Sequence, residues 1–358
     1  MNKIDIYIIK KFLGTFFLSI SLIIIIVIIF DISENIDDLI SSEAPLNEII
    51  FNYYLNFIPY FINLFSPLFT FIAVIYFTSK MATHSEIISI LSNGISFGRM
   101  LKPYMITAAL LTALSFYLAN FLIPYTNINL WDFKYTYIKN KYYNDSRNIH
   151  MQIAPGAFVY VESYDVDDNK GTRFTMEHFK DGVLYYKMNA NYIQWDSIKA
   201  KWNINNYSIH LMNGMQEKII TGAQKDTAIN LTPEDFHRKQ DNMDVMNFSQ
   251  LRKFIKDEKL KGSDNIRFYE VEKHKRIAFP FATFILTLIA VSVSSRKVRG
   301  GVGLHIAFGM ALTFAYILFM RITETFATYG NLSPWMAAWL PNIIFVFVAA
   351  YMIKVAPK

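Results

Sequence analysis

Apolar residues dominate six stretches of the chain, and a polar, partly alternating interval separates the third stretch from the fourth. A helix needs about 20 mainly apolar residues to cross the hydrocarbon core of a bilayer. Phe12–Phe30, Ile49–Phe77, Tyr104–Ile123, Ile277–Val293, Leu304–Ile322 and Met336–Val355 are of that order. Pro59 and Pro67 interrupt the second stretch, and Pro124 is expected to end the third, because proline removes a backbone donor and crowds the preceding turn. The expected fold class is an α-helical membrane protein with six transmembrane helices plus an inserted all-β, jelly-roll-like domain. The expected segments are 1–124 for helices one to three, 125–264 for the insert and 265–358 for helices four to six.

Within the insert, AFVYVESY, RFTMEHF, NANYIQWD and WNINNYSIHL mix β-branched and aromatic residues with polar ones. Pro155-Gly156, Asp168-Asn169-Lys170-Gly171, Asp181-Gly182 and Asn213-Gly214 supply turn signals between them. Short strands at this spacing predict an antiparallel sandwich or jelly-roll-like sheet. Towards its end, Ser249 is placed to cap a short helix, LRKFIKDEKLK, that Gly262 stops.

Charge then orients the helices. Lys3, Lys10, Lys11, Lys80, Arg99, Lys102, Arg296, Lys297, Arg299, Lys354 and Lys358 all fall on one side, whereas the opposite short loop, Asp31 to Glu48, holds no Lys or Arg. Basic residues accumulate in cytoplasmic loops, so both termini are expected in the cytoplasm and the insert outside. The formal charge of +6 therefore reflects membrane topology rather than a nucleic-acid-binding face. The apolar run after Lys11 is longer than the core of a secretory signal and has no small-residue cleavage pattern, so it is expected to be a retained helix.

Several catalytic classes lack their residues. There is no cysteine, no G-x-x-x-x-G-K-[ST] phosphate loop, no H-E-x-x-H and no G-x-S-x-G. Gly300-Gly301-x-Gly303 fits a tight turn between helices, and the histidines are scattered. No cofactor is expected, and no metal site.

Four polar features stand out. In the second stretch, Asn52, Asn56, Asn63 and Ser66 share a helical face opposite Phe51, Tyr54, Phe57, Phe61 and Phe65. Amides in hydrocarbon need partners, so interhelical hydrogen bonds are the first expectation and a transport path the second. Beyond the first helix, Asp31, Glu34 and Asp38 align if the helix persists; a solvated face is the plain interpretation, and a divalent cation or an amine-bearing headgroup the functional one. Lys273, His274, Lys275 and Arg276 cluster at the outer entry to the fourth helix, either snorkelling or contacting a phosphorylated lipid, while Arg321 and Glu324 suit a mutually neutralising pair. Between helices two and three, Thr83 and Glu86 have capping-box spacing, Ile87, Ile88, Ile90 and Leu91 an apolar face, and Gly94 a stop. An amphipathic helix over about 83–97 is thus expected on the cytoplasmic surface, either resting on the membrane or docking in a partner's groove.

DIYIIKKFLGTFF, FDISENIDDLI, THSEIISILSNGIS, the block from KGSDNIRFYEVEKHKRIAFP to SSRKVRGG, and SPWMAAWLPNIIF together resemble the permease subunits of the lipopolysaccharide exporter, the LptF/LptG type, nearly end to end. The resemblance implies a non-catalytic subunit of an ABC transporter in the bacterial inner membrane, paired with a second permease above a cytoplasmic ATPase dimer. It further implies that lipopolysaccharide enters laterally between the first and fifth helices. The glycolipid then passes through the periplasmic β-domain to a bridge protein joined at a sheet edge. Position by position, Ser85, Glu86 and Gly94 match the family's SE-x₇-G pattern in the helix that couples to the ATPase, with Thr83 and Ile87 beside them. Family members with basic residues on the outer part of the first helix differ from this chain, which has Glu34 there and no Lys or Arg. The expected substrate contacts are therefore Lys273, Lys275 and Arg276, with Asp31, Glu34 and Arg321 as further candidates.

Two other classes fit less well. A secondary transporter should bury ionisable groups at mid-membrane, and the central turns here are nearly free of them. A membrane sensor should append a cytoplasmic output domain, and the termini are short.

Overall fold

The structure is a computed structural model that describes residues 3–41, 44–138, 147–166, 168–214, 216–236, 243–261, 263, 265–295 and 301–356. The chain divides into two compact units, Met1–Tyr137 with Arg267–Lys358, and Ile138–Ile266. Gly262, Arg296, Lys297, Arg299, Gly300 and Lys358, which entered the expectations above, lie outside the described residues.

The first unit is a helical bundle. Its long helices are α1 (Lys3–Ser41), α2 (Leu46–Thr83) and α4 (Phe97–Ile138), with the short α3 (Glu86–Ser92) between the last two. Among the described residues, five helices are long and apolar enough to cross a membrane, or six if a bent pair is counted as one span. On α1 the buried residues Asp5, Ile8, Phe12, Phe16, Ile20 and Ile24 recur at helical spacing and form one stripe against the bundle. Beyond Ile24 no residue of α1 is buried.

Pro124 does not end the third span, as the sequence suggested. A π-helical turn, Leu118–Leu122, precedes it and the helix continues to Ile138. The wider turn displaces the carbonyl that the proline ring would otherwise meet. Asn120 reinforces the turn by donating to the Phe116 carbonyl at 2.9 Å. A second π turn, Ile49–Tyr54, opens α2, and Asn56 donates to the carbonyls of Phe51 and Asn52 at 2.9 and 3.0 Å. Asn63 instead accepts from the Ser115 hydroxyl at 2.6 Å, joining α2 to α4. Asn56 and Asn63 of the second span thus serve helix geometry and interhelical bonding respectively.

The fourth span is broken rather than continuous. Residues 266–278 (α5a, Ile266–Ala278) and 281–294 (α5b, Phe281–Ser294) meet at 48° around Pro280. Proline removes the donor owed to the Arg276 carbonyl, and in an apolar setting the freed carbonyls need other donors. Asn120 reaches the Arg276 carbonyl at 3.5 Å, Asn342 the Ala278 carbonyl at 2.8 Å and Thr112 the Pro280 carbonyl at 3.3 Å. Three polar side chains from two other helices therefore hold the bend. Tyr316 fixes Asn342 in turn, donating to its side-chain oxygen at 2.8 Å. The bundle closes with α6 (Gly301–Tyr329) and α7 (Pro334–Val355).

The second unit carries the antiparallel β-insert. Its strands are β1 (Ile149–Ala154), β2 (Ala157–Val161), β3 (Ser163–Asp165), β4 (Lys170–Lys180), β5 (Val183–Asp196), β6 (Lys201–Asn213) and β7 (Gln216–Thr227). They form one seven-stranded sheet in the order β1-β2-β4-β5-β6-β7, with β3 also on β4. Hairpins form at Gly156, Asp181-Gly182 and Gly214, all at positive φ, as the turn signals predicted. Between β5 and β6 the turn is built differently: the Asp196 carboxylate accepts from the amides of Ile198 and Lys199 at 3.0 and 3.1 Å.

A crease crosses the sheet. Thr172 pairs with Tyr192 and Phe174 with Ala190; Tyr192 pairs with Asn205 and Ala190 with Tyr207; Asn205 pairs with Gln224 and Tyr207 with Gly222. The row Arg173, Asn191, Asn206 and Ala223 is skipped, and Arg173 and Asn206 stand at φ 49° and 50°. The inward face changes parity there, from Met188 and Ala190 to Ile193 on β5, and from Trp202 and Ile204 to Ile209 on β6. Trp202 is fully buried and donates from its indole to the Leu231 carbonyl at 2.7 Å. The helix Phe248–Lys261 packs on β1. Asn247 and Gln250 cap its start reciprocally, each side chain accepting from the other's amide at 2.9 and 3.0 Å, so the cap lies two residues before Ser249.

Candidate functional site

Two polar constellations in the bundle contain most of the residues singled out above. The first surrounds α3. Its N-terminal residue Ser85 is left-handed at φ 59°, and Gly94 closes the segment at φ 80°, with its amide bonded to the Leu91 carbonyl at 3.1 Å. The expected capping box between Thr83 and Glu86 does not form. Thr83 is the last residue of α2 and its hydroxyl bonds back to the Ser79 carbonyl at 2.9 Å, so it is committed to the preceding helix. Glu86 accepts from the Tyr7 hydroxyl of α1 at 2.9 Å instead. Ile87 is fully buried and Ile90 and Leu91 pack on the bundle core, while Ile88 faces out at 58% exposure. The apolar face predicted for this segment is therefore split: three of its four residues hold α3 to its own subunit.

The same end of α1 makes a second link that sequence inspection missed. Arg99, in the first turn of α4, donates from both terminal nitrogens to both carboxylate oxygens of Asp5, each at 2.8 Å. Such fork-to-fork pairing fixes orientation as well as distance. Lys11 lies 4.9 Å from the centre of the Tyr7 ring. No sequence signal joins Asp5 to Arg99, which are far apart in the chain; the pair emerges only when α1 lies along α4.

The second constellation joins α5a to α6. Arg276 reaches Glu272 at 3.3 Å, and Lys275 reaches Glu324 at 3.2 Å and Glu272 at 3.8 Å. Arg321 completes the chain through Glu324 at 3.1 Å. The expected Arg321–Glu324 pair is thus present, inside a larger network that among the described residues includes Lys275, Arg276 and Glu272. Arg276 is buried, whereas the Arg321 side chain is 56% exposed. Lys273 is half-buried and has no ion-pair partner among the described residues. Nearby, Arg267 donates to the Gly330 carbonyl, drawing the start of α5a to the end of α6.

Asp31 and Glu34 belong to neither constellation. Asp31 accepts from the hydroxyls of Tyr53 and Tyr54, both at 3.1 Å, and so ties the outer part of α1 to the π turn of α2. Lys134 stands 5.6 Å from the Tyr53 ring centre and 5.3 Å from that of Trp131. The helix does persist through Asp38 to Ser41, and Glu34 is exposed on it. No ion pair joins Asp31 or Glu34 to Lys273, Lys275, Arg276 or Arg321 among the described residues. Nor do the described residues hold a group of three or more His, Asp or Glu side chains arranged for a metal ion.

Comparison with known proteins gives these sites a setting. Residues 6–355 match the family described as lipopolysaccharide export system permease LptF/LptG, and the chain belongs to that family. A search of curated proteins returned no match.

Proposed function

We propose that this lipopolysaccharide export permease is one of two paired transmembrane subunits of an ATP-driven exporter, its energy supplied by a separate cytoplasmic ATPase dimer. The family match along residues 6–355 is the observation that carries this reading. The distribution of Lys and Arg supports cytoplasmic termini and a periplasmic insert, which would turn α3 toward the ATPase. Ser85, Glu86 and Gly94 then define the coupling segment, with exposed Ile88 as its apolar contact.

Large apolar side chains on α1 and α6 support lateral entry of a lipid. Phe17, Leu18, Leu22, Ile29 and Phe30 on α1, and Phe314, Leu318 and Phe326 on α6, are all at least half exposed. Surfaces of this kind suit acyl chains and the second permease. In the proposed cycle, glycolipid enters between α1 of one subunit and α6 of the other. Closure of the pair, driven by the ATPase, moves the glycolipid to the β-inserts. The edge of β7, which pairs only with β6 among the described residues, suits strand addition by a periplasmic bridge protein. Lys273 and Arg321 are the cations best placed to meet a lipid phosphate. Lys273 has no ion-pair partner among the described residues, and the Arg321 side chain, though paired with Glu324, is 56% exposed. The paired Lys275 and Arg276 are far less exposed.

Purification from native membranes in mild detergent tests the assembly. The chain should carry an ATPase, a second permease and bound glycolipid together. Glu86→Lys should lose most of the ATPase and keep the second permease. A chain that purifies without any ATPase would overturn the proposal, and full retention of ATPase by Glu86→Lys would remove Glu86 from the coupling contact.

A further inference from the structure

The coupling segment and the helix that follows it are each bonded to α1. Glu86, in the first turn of α3, accepts from the Tyr7 hydroxyl at 2.9 Å. Arg99, in the first turn of α4, grips Asp5 through two bonds of 2.8 Å. One contact lies at the start of the segment and the other just past its end, and both end on the first turns of α1. The Asp5 side chain is 8% exposed, so this carboxylate is held inside protein and away from competing water.

The helix that receives these contacts is suited to carry a displacement. α1 is one uninterrupted helix of 39 residues with no proline. At 1.5 Å per residue it is about 58 Å long. Its buried stripe runs from Asp5 to Ile24, and no residue after Ile24 is buried. The helix is therefore seated along its first half, and its second half is held more lightly, through the bonds that Asp31 accepts from Tyr53 and Tyr54. By contrast, α2 contains Pro59, Pro67 and a π turn, and the fourth span is bent at Pro280. Helices deform most readily at such positions. The third span, α4, likewise holds Pro103, Pro124 and the Leu118–Leu122 π turn. Of α1, α2 and α4, which meet the coupling segment among the described residues, α1 lacks such breaks.

We infer that Asp5, Tyr7 and Arg99 are positioning residues that transmit movement of the coupling segment to α1, which swings at its far end. The inference rests on the proposed reading of α3 as the ATPase contact. It assigns α1 a role beyond lining a gate: α1 is the moving part, driven from its N-terminal turn. The Arg99 fork resists rotation about the contact, and the Tyr7 hydroxyl adds a second point that prevents pivoting about the first. Cutting either link should leave the ATPase bound but separate its stroke from the gate.

The absence of cysteine makes the test direct. Single cysteines at Ile40 and Tyr329, which are 71% and 87% exposed, take spin labels at the far ends of α1 and α6. The complete exporter is reconstituted in proteoliposomes, and the label distance is measured with and without ATP. Bound ATPase and glycolipid delivered per ATP are measured on the same samples. With the links intact, ATP should change the label distance. Arg99→Gln and, separately, Tyr7→Phe should keep the ATPase bound. Each should blunt that change and lower the glycolipid delivered per ATP roughly fivefold or more, a coupling loss of ordinary allosteric size. The exchanged pair, Asp5→Arg with Arg99→Asp, should recover most of the loss, which a merely destabilised bundle would not do. Tyr7→Phe removes one oxygen and keeps the ring, so it tests the link where Arg99→Gln fails to assemble. Unchanged delivery per ATP and an unchanged distance response in a variant that retains its ATPase would overturn the inference. If the unmutated chain binds no ATPase, the underlying proposal fails, and this inference fails with it.

Discussion

Glu86 shows how one side chain can satisfy a sequence pattern and still bond elsewhere. Its spacing from Thr83 resembled a capping box, but the Thr83 hydroxyl is drawn to the Ser79 carbonyl and Glu86 turns to Tyr7. Local spacing could not reveal a partner 79 residues away. The same limit hid Asp5 from Arg99 and Glu324 from Lys275. Lys273, Lys275 and Arg276 looked like one cationic cluster in the sequence, and the structure sorts them by partner. This gives a residue-scale prediction for substrate contact. Lys273→Glu with Arg321→Glu should sharply reduce glycolipid photocrosslinked to the chain, because both act on the accessible cations. Lys275→Gln should instead lower the melting temperature in detergent, since it leaves Glu324 and Glu272 short of a cation in a partly buried setting. Undiminished crosslinking in the double variant would remove these cations from the lipid path.

At the scale of elements, helix existence was legible and helix ends were not. Hydropathy located the spans, five continuous helices and one bent pair among the described residues, because an apolar run of about 20 residues is the length a bilayer crossing demands. It could not see that Pro124 is tolerated after a π turn, or that Pro280 bends the fourth span, since both outcomes depend on Asn120, Asn342 and Thr112 from elsewhere. In the insert, β2, β4, β5 and β6 showed themselves through aromatic and β-branched residues. β7 did not, because nearly all its residues are exposed and no apolar alternation marks it. The crease through Asn206 also hid part of the pattern, switching the inward parity midway along β6. Helix packing offers a direct check. A methyl group on Gly309 of α6 would fall on Phe71 and Ile75 of α2, both fully buried. Gly14 of α1 has nothing within 4 Å of that position. Gly309→Ala should therefore destabilise the bundle by about 1–3 kcal/mol, the usual cost of overpacking. Gly14→Ala should be neutral or stabilising by up to about 1 kcal/mol, through helix propensity. Thermal unfolding of the two variants in the same detergent distinguishes them, and equal melting temperatures would contradict the close approach of α6 to α2.

For the whole molecule, an interruption after the third span organises the chain into three helices, an antiparallel β-unit and three more helices. That layout was readable from composition alone, because the insert changes both hydropathy and periodicity. Family membership adds what the molecule handles, and charge asymmetry supplies the proposed direction, with energy entering at α3 and glycolipid leaving through the insert. The central claim is that this permease moves lipopolysaccharide by means of ATP hydrolysed on a partner. Its most direct test places the assembled exporter in proteoliposomes loaded with glycolipid, beside a soluble periplasmic bridge protein carrying a photocrosslinker. Glycolipid crosslinked to the bridge should accumulate with ATP and stay at background with a non-hydrolysable analogue. Accumulation that is indifferent to ATP, or none at all from a complex that hydrolyses ATP normally, would contradict that claim.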